Sequence, residues 1–381
     1  MVAVRALSCG HPATHSLDFG MAAKLLLLGA FALSADALIL PSIDYNRRTA
    51  VLGAATATLL GTAPTNTATA AAVHKTWMLA NGVEMPTLAL NTAGMTADAS
   101  ERATREALAA GITHVDFHPG IERDGVARFL ASSPASRSAI FLTTKIAKPK
   151  PGTAPAAAAE LVSKQIDADL SVLGLPSVDM LMLRDSPDCD VMQAQWAAME
   201  GALASKKCRA LGLINYCESS LQCILQTAKT KPALNYFMQH VGMGPASAGS
   251  LRAFGEARGI KTFAYGALGE PAPSDELLTS PTLKKIGDAH ARSTEEVALR
   301  WLLQNGCAVS ARPTSNFGLG TSACAEGEAC KAGLRARSQA FDWALTAAEM
   351  RELDAMTSPG GNPTLFSSLG CPDSFFATFK G

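Results

Sequence analysis

The sequence predicts an α/β fold, a single closed (β/α)8 barrel of the TIM type. From Val73 onward, short apolar runs of strand length alternate with longer, Ala-rich helical stretches. The alternation recurs eight times through the rest of the chain. No Gly-x-Gly-x-x-Gly follows the first run, which sets aside a doubly wound dinucleotide-binding sheet.

The elements follow in order. TLALNT (87–92) precedes a helix near 100–110, and HVDFH (114–118) one near 121–132. IFLTTKI (140–146) leads into AAAAELVSKQIDADLSVLG, and VDMLMLR (178–184) into MQAQWAAMEGALAS. CRALGLIN (208–215) precedes ESSLQCILQTAK, and LNYFMQ (234–239) precedes ASAGSLRAFGEARG. KTFAYG (261–266) leads to a helix ending near His290, and CAVSAR (307–312) to the last segment. VDMLMLR is interrupted only by Asp179, the pattern of a strand buried on both faces, yet it ends in Arg184.

Lys plus Arg and Asp plus Glu both number 33, so the chain carries no net charge and no footprint for nucleic acid or an anionic membrane. The first 72 residues differ in composition from the rest and read as a targeting presequence ahead of a barrel domain over 73–381. From Met21, MAAKLLLLGAFALSADA combines a lysine, a short apolar run and an A-x-A site at Ala35 and Ala37, the pattern of a signal peptide over about 21–37. Arg47 and Arg48, an uncharged apolar stretch and a second A-x-A at Ala68 and Ala70 form a Tat-like second signal over about 45–70. Stacked signals of this kind resemble those of thylakoid-lumen proteins in algae with complex plastids. A single signal peptide followed by an Ala/Thr linker, leading to secretion, is the alternative. Neither apolar run is expected to remain as a membrane span in the mature chain.

Nine cysteines, with Cys9 in the presequence, leave eight downstream, compatible with pairing in an oxidising space. Cys324 and Cys330 flank a small-residue loop and form the most readily joined pair; their spacing fits no zinc pattern, and no metal site is expected.

In such barrels the chemistry sits at the C-terminal ends of the strands. That rule selects Asn91, Thr92, Asp116, His118, Lys145, Arg184, Asp185, Asn215, Tyr216, Tyr236, Gln239, Tyr265 and Arg312. LANGVEMPTLALNT, ITHVDF, FLTTKI, VDMLML, RALGLIN, AYGALG, ALRWLLQNG and FDWALTAAEM, in that order, resemble the landmarks of the aldo-keto reductases. The resemblance adds an N-terminal β-hairpin and a C-terminal extension to the barrel. It implies an NADP-dependent oxidoreductase acting on a small-molecule carbonyl substrate.

Those enzymes use an aspartate, a lysine, a general-acid tyrosine and a substrate-orienting histidine. A proton donor of this kind is worth roughly 100- to 10,000-fold in rate. By resemblance Asp116 is the aspartate and Lys145 the lysine. The place of the tyrosine falls on Gly120 or Ile121, and that of the histidine on Arg184. His118 could supply a proton in place of the tyrosine. Arg184 could pair with Asp116 or Asp185, or receive an anionic ligand.

On the cofactor side Tyr265 matches the ring that stacks on nicotinamide. Asn215 matches half of a Ser-Asn pair whose serine is Ile214 here, and Tyr236 stands where a glutamine shares that task. Arg312 replaces a phosphate-binding lysine and could grip phosphate bidentately. Arg335 and Arg337 lie near the remaining phosphate clamp.

The missing tyrosine and histidine admit a second reading, a catalytically inactive barrel kept as a binding or structural protein, with a protein partner at a photosynthetic membrane. Phe375, Phe376 and Phe379 in the tail could plug the barrel mouth or dock on another protein.

Mass-spectrometric reading of the mature N-terminus tests the presequence. The stacked signals predict a start near residue 72, and a start before Arg48 excludes the Tat-like one.

Overall fold

The computed structural model describes residues 73, 75–186, 188–243, 245–269, 274–314 and 327–358. The presequence, Cys324 and the three tail phenylalanines lie outside the described residues.

Strands β1 (Thr76–Met78) and β2 (Glu84–Pro86) pair antiparallel. Eight further strands follow: β3 (Leu88–Asn91), β4 (His114–Asp116), β5 (Phe141–Ile146), β6 (Val178–Arg184), β7 (Cys208–Ile214), β8 (Leu234–Met238), β9 (Lys261–Tyr265) and β10 (Ala308–Ala311). They close into a parallel barrel in chain order, with β10 bonded back to β3. This is the (β/α)8 barrel that the alternation predicts, with the hairpin ahead of it.

The helices are α1 (Ala97–Ala109), α2 (Ile121–Ser132), α3 (Pro155–Leu173), α4 (Cys189–Ala204), α5 (Glu218–Thr227), α6 (Pro245–Glu256), α7 (Asp275–Leu278), α8 (Pro281–His290), α9 (Thr294–Gln304), α10 (Gly327–Ser338) and α11 (Ala347–Asp354). Local sequence sets their ends. Thr96 caps α1 by accepting from the Ala99 N–H, and Ser293 with Glu296 makes a capping box at α9. Gly174 ends α3 in the left-handed conformation. Gly125 on α2 lets α1 approach so closely that an added Cβ would lie 2.2 Å from the Ala97 carbonyl oxygen.

The core has two layers, because strand side chains alternate between the barrel interior and the helices. Outside, Leu90, Val115, Leu142, Leu181, Leu183, Leu211 and Leu213 pack with the apolar faces of the helices. Inside, Met180 and Met182 of β6 pack with Phe141, Ile214, Leu234, Tyr236 and Phe263. Leu79, Val83 and Met85 of the hairpin join this inner cluster, so the hairpin closes the end where the strands begin.

His114 belongs to this floor and is fully buried. Its ring stacks on Phe263 at 5.3 Å between centroids. Nδ1 lies 2.9 Å from the Pro86 carbonyl and must donate to it, so Nε2, 2.7 Å from Thr143 Oγ1, accepts. The neutral ring satisfies both nitrogens, and burial favours that form.

The Cys189–Cys223 disulfide joins the first residue of α4 to α5, with Cα atoms 5.9 Å apart. Cys330 is also disulfide-bonded, as is Cys217. Buried Cys208 and Cys307 are free thiols.

Burial lowers the His114 pKa from 6.5 to about 4. A neutral buried histidine stabilises the fold above its unfolded pKa, and that contribution is lost as pH falls from 6.5 towards 4. Chemical denaturation across this window should show about 3 kcal/mol of lost stability assignable to His114. The His114→Gln variant, less stable at pH 7, should lack that part of the slope.

Candidate active site

Alternation along the strands points Asn91, Asp116, Lys145, Arg184, Ile214, Tyr236, Tyr265 and Ser310 into the barrel at its C-terminal end. At the centre Lys145 Nζ donates to Asp116 Oδ1, and both side chains have no exposed surface. The second carboxylate oxygen accepts from Tyr236 Oη and from Ser310 Oγ, each at 2.7 Å. Lys145 also donates to the Phe117 carbonyl at 3.1 Å, and Asn91 Nδ2 to Tyr236 Oη at 3.3 Å.

Burial disfavours a charged Asp116, but the Lys145 charge and the donated hydrogen bonds outweigh it and hold the carboxyl below its ordinary pKa. For Lys145 burial wins and lowers the pKa against the pull of Asp116, with Arg184 adding a smaller repulsion. The Tyr236 hydroxyl, buried and donating to a carboxylate, is pushed well above 10.

Tyr236 therefore has a different place from the one its alignment implies. Its hydroxyl completes the Asp116 network, its ring centroid is 5.6 Å from Lys145 Nζ, and the Tyr265 ring tilts against it at 4.7 Å. Tyr265 Oη donates to Asn215 Oδ1 at 2.9 Å. Asn215 has φ 61°, a left-handed conformation asparagine tolerates better than most residues and one found often at functional sites.

The two places for the family's tyrosine differ physically. Gly120 has φ 95° and ψ −137°, backbone open to glycine and closed to tyrosine. Ile121 is 66% exposed at the first position of α2.

His118 instead lies beside Glu122, one helical turn on, with Nδ1 2.9 Å from Oε2. The same carboxylate accepts from the His118 backbone N–H at 2.9 Å, the Thr92 hydroxyl at 3.0 Å and the Gly94 N–H at 2.8 Å. Burial opposes its charge, but the His118 hydrogen bond and the other donors bring the Glu122 pKa down to about 2. An ionised Glu122 makes His118 Nδ1 the donor, and Nε2 has no hydrogen bond among the described residues. Burial first, then Lys145, lowers the His118 pKa despite Glu122. Glu122 was not among the sequence candidates, although its spacing of four from His118 at a helix start carries the signal. Ser310 was missed as well; the inward phase of CAVSAR marks it.

Arg184 ends β6 half-buried. It pairs with neither Asp116 nor Asp185, against both of those expectations. Asp116 is saturated by Lys145, Tyr236 and Ser310, and Asp185 has Lys148 at 3.3 Å.

A cleft runs outward from Asn91 and Ser310 past the turn 266–269, Leu299 and Arg312 to Arg337. Gly266 and Gly269 have φ 63° and 101°, so the turn presents backbone to the cleft. Arg337 is committed structurally, donating to the Arg312 carbonyl at 2.7 Å and to Glu295 at 2.9 Å. Arg335 is exposed on α10.

A parallel barrel with a buried Asp-Lys pair at its C-terminal mouth and a cleft beside it defines an aldo-keto reductase-type barrel. The chain belongs to the aldo/keto reductase family, whose model matches residues 85–356. It is 28% identical over 289 residues to morphine 6-dehydrogenase of Pseudomonas putida, covering 73% of this chain and 90% of that protein. D-galacturonate reductase of Fragaria ananassa is 28% identical over 302 residues, covering 72% and 86%. The structure of an aldo-keto reductase from a Medee basin deep-sea metagenome superposes with a TM-score of 0.65 at 22% identity, covering 78% of this chain and 99% of that one.

The Asp116→Asn variant, which leaves Lys145 buried with a weakened partner, should lose about 3–5 kcal/mol in urea denaturation. Adding Lys145→Met should restore part of that loss.

Proposed function

We propose that the protein is an NADP-dependent oxidoreductase interconverting a carbonyl compound and its alcohol. The observation that carries this reading is the buried Asp116–Lys145 pair, tied through Ser310 and through Tyr236 to Asn91, where the cleft begins. The lining of the cleft, a glycine-bearing turn beside arginine, suits the phosphates of a dinucleotide. Its two carboxylates are neutralised, Glu295 by Arg337 and Glu296 by Arg292, and Arg312 brings a guanidinium to the same lining. In this reading Arg312 and the turn 266–269 hold the phosphates, and Tyr265 with Asn215 the nicotinamide. NADP, when bound, gives or takes the hydride.

Proton transfer falls to His118. Glu122 orients the ring through Nδ1, leaving Nε2 to take the proton from an alcohol or return one to a carbonyl oxygen. Lys145 supplies positive charge beneath the reacting oxygen, held by Asp116. The Cys189–Cys223 disulfide supports an oxidising compartment for this activity, such as a thylakoid lumen or the cell exterior.

One observation favours the inactive barrel instead. Asp116 and Lys145 have no exposed surface, and Tyr236 covers them with a hydroxyl whose raised pKa makes it a poor acid. That reading keeps the barrel as a binding protein with a protein partner.

Purified protein should quench NADPH fluorescence and oxidise NADPH with 4-nitrobenzaldehyde; absence of both leaves the inactive barrel. His118 acts as base only when neutral, so alcohol oxidation should hold a plateau at neutral pH and fall about tenfold per unit below a pKa under 6.5. Carbonyl reduction, which needs the imidazolium, should decline as pH rises through the same value. Because Glu122 raises the His118 pKa, Glu122→Gln should move both limbs to lower pH.

A further inference from the structure

Around the barrel mouth the inward-facing charged strand side chains among the described residues are Asp116, Lys145 and Arg184. Arg184 owes its direction to the pleat. Met180 and Met182 of the same strand lie in the inner cluster, and Arg184 follows them at the same period. Across the ladder it is in register with Ile214, which pairs with Tyr236, and both belong to that cluster. These inward strand ends thus hold one carboxylate and two cations.

The carboxylate is used up, with Oδ1 on Lys145 and Oδ2 on Tyr236 and Ser310. Two other acids at this end of the barrel are also occupied: Asp185 faces Lys148, and Glu122 accepts from His118, Thr92 and Gly94. The Arg184 guanidinium makes no hydrogen bond or ion pair with any described residue. It is half withdrawn from water and repels Lys145, an arrangement that costs stability unless an anion completes it.

We infer that Arg184 is the recognition group for a carboxylate on the substrate, so that the reaction is run on carbonyl compounds bearing a carboxylate. This rests on the oxidoreductase reading above. One planar guanidinium presents two parallel N–H donors, which match a single carboxylate. A phosphate dianion asks for a second cation, and the neighbouring one, Lys145, is buried and paired.

The test compares 4-carboxybenzaldehyde with methyl 4-formylbenzoate, using the full protein and NADPH. Wild type should favour the acid in kcat/KM. Arg184→Gln should lower the acid-to-ester ratio by about 10- to 100-fold, and Arg184→Lys by less, since the charge remains and the fork is lost. Calorimetric titration with 4-methylbenzoate, which cannot be reduced, reads the site without turnover. Wild type should bind it in a salt-sensitive manner, and Arg184→Gln should bind it at least about tenfold more weakly. Equal use of acid and ester by wild type, an unchanged ratio in Arg184→Gln, or 4-methylbenzoate binding indifferent to Arg184 overturns the assignment. If neither aldehyde is reduced, the oxidoreductase reading fails, and the titration still decides whether Arg184 holds a carboxylate.

Discussion

The interaction on which the mouth of this barrel depends is the ion pair between Asp116 and Lys145, with no water on either side chain. Two charges taken fully from water cost several kcal/mol each, and their mutual attraction repays that only when the remaining lone pairs and protons are filled. Here they are filled from around the barrel. Tyr236, 120 residues from Asp116 in the chain, and Ser310, 194 residues away, donate to the second carboxylate oxygen. Closure of β10 onto β3 makes those separations vanish. Beneath the pair, His114 kept neutral by burial and the hairpin residues Leu79, Val83 and Met85 close the floor.

Satisfying the pair engages the Asp116 carboxylate and leaves Arg184 outside the network. Arg184 stands at the rim with no carboxylate partner among the described residues. His118 answers the same field differently: Glu122 holds its Nδ1, while burial and the nearby cations keep the ring neutral. Among the described residues neither His118 Nε2 nor the Arg184 guanidinium has a hydrogen-bond partner, so both can meet a ligand at the mouth.

Much of this was legible in the sequence. All eight strands read correctly because each is a short apolar run bounded by helical stretches, and their C-terminal residues follow from the fold. Asp116, Lys145, His118 and Arg184 do meet at one end of the barrel. The Tyr236 bond to Asp116 was not legible, because it is a contact between β8 and β4 across the barrel axis that no local pattern encodes. The Cys189–Cys223 disulfide escaped for a similar reason, since it needs α4 and α5 side by side.

The sequence by itself determined the barrel, the order of its strands and the residues at their ends, because these depend on local periodicity and on which side chains can be buried. Only the tertiary structure decided which of those residues share protons and which stand unpaired. Hydrogen-bond partners are chosen across the closed barrel, where Asp116 has room for three donors and none for Arg184.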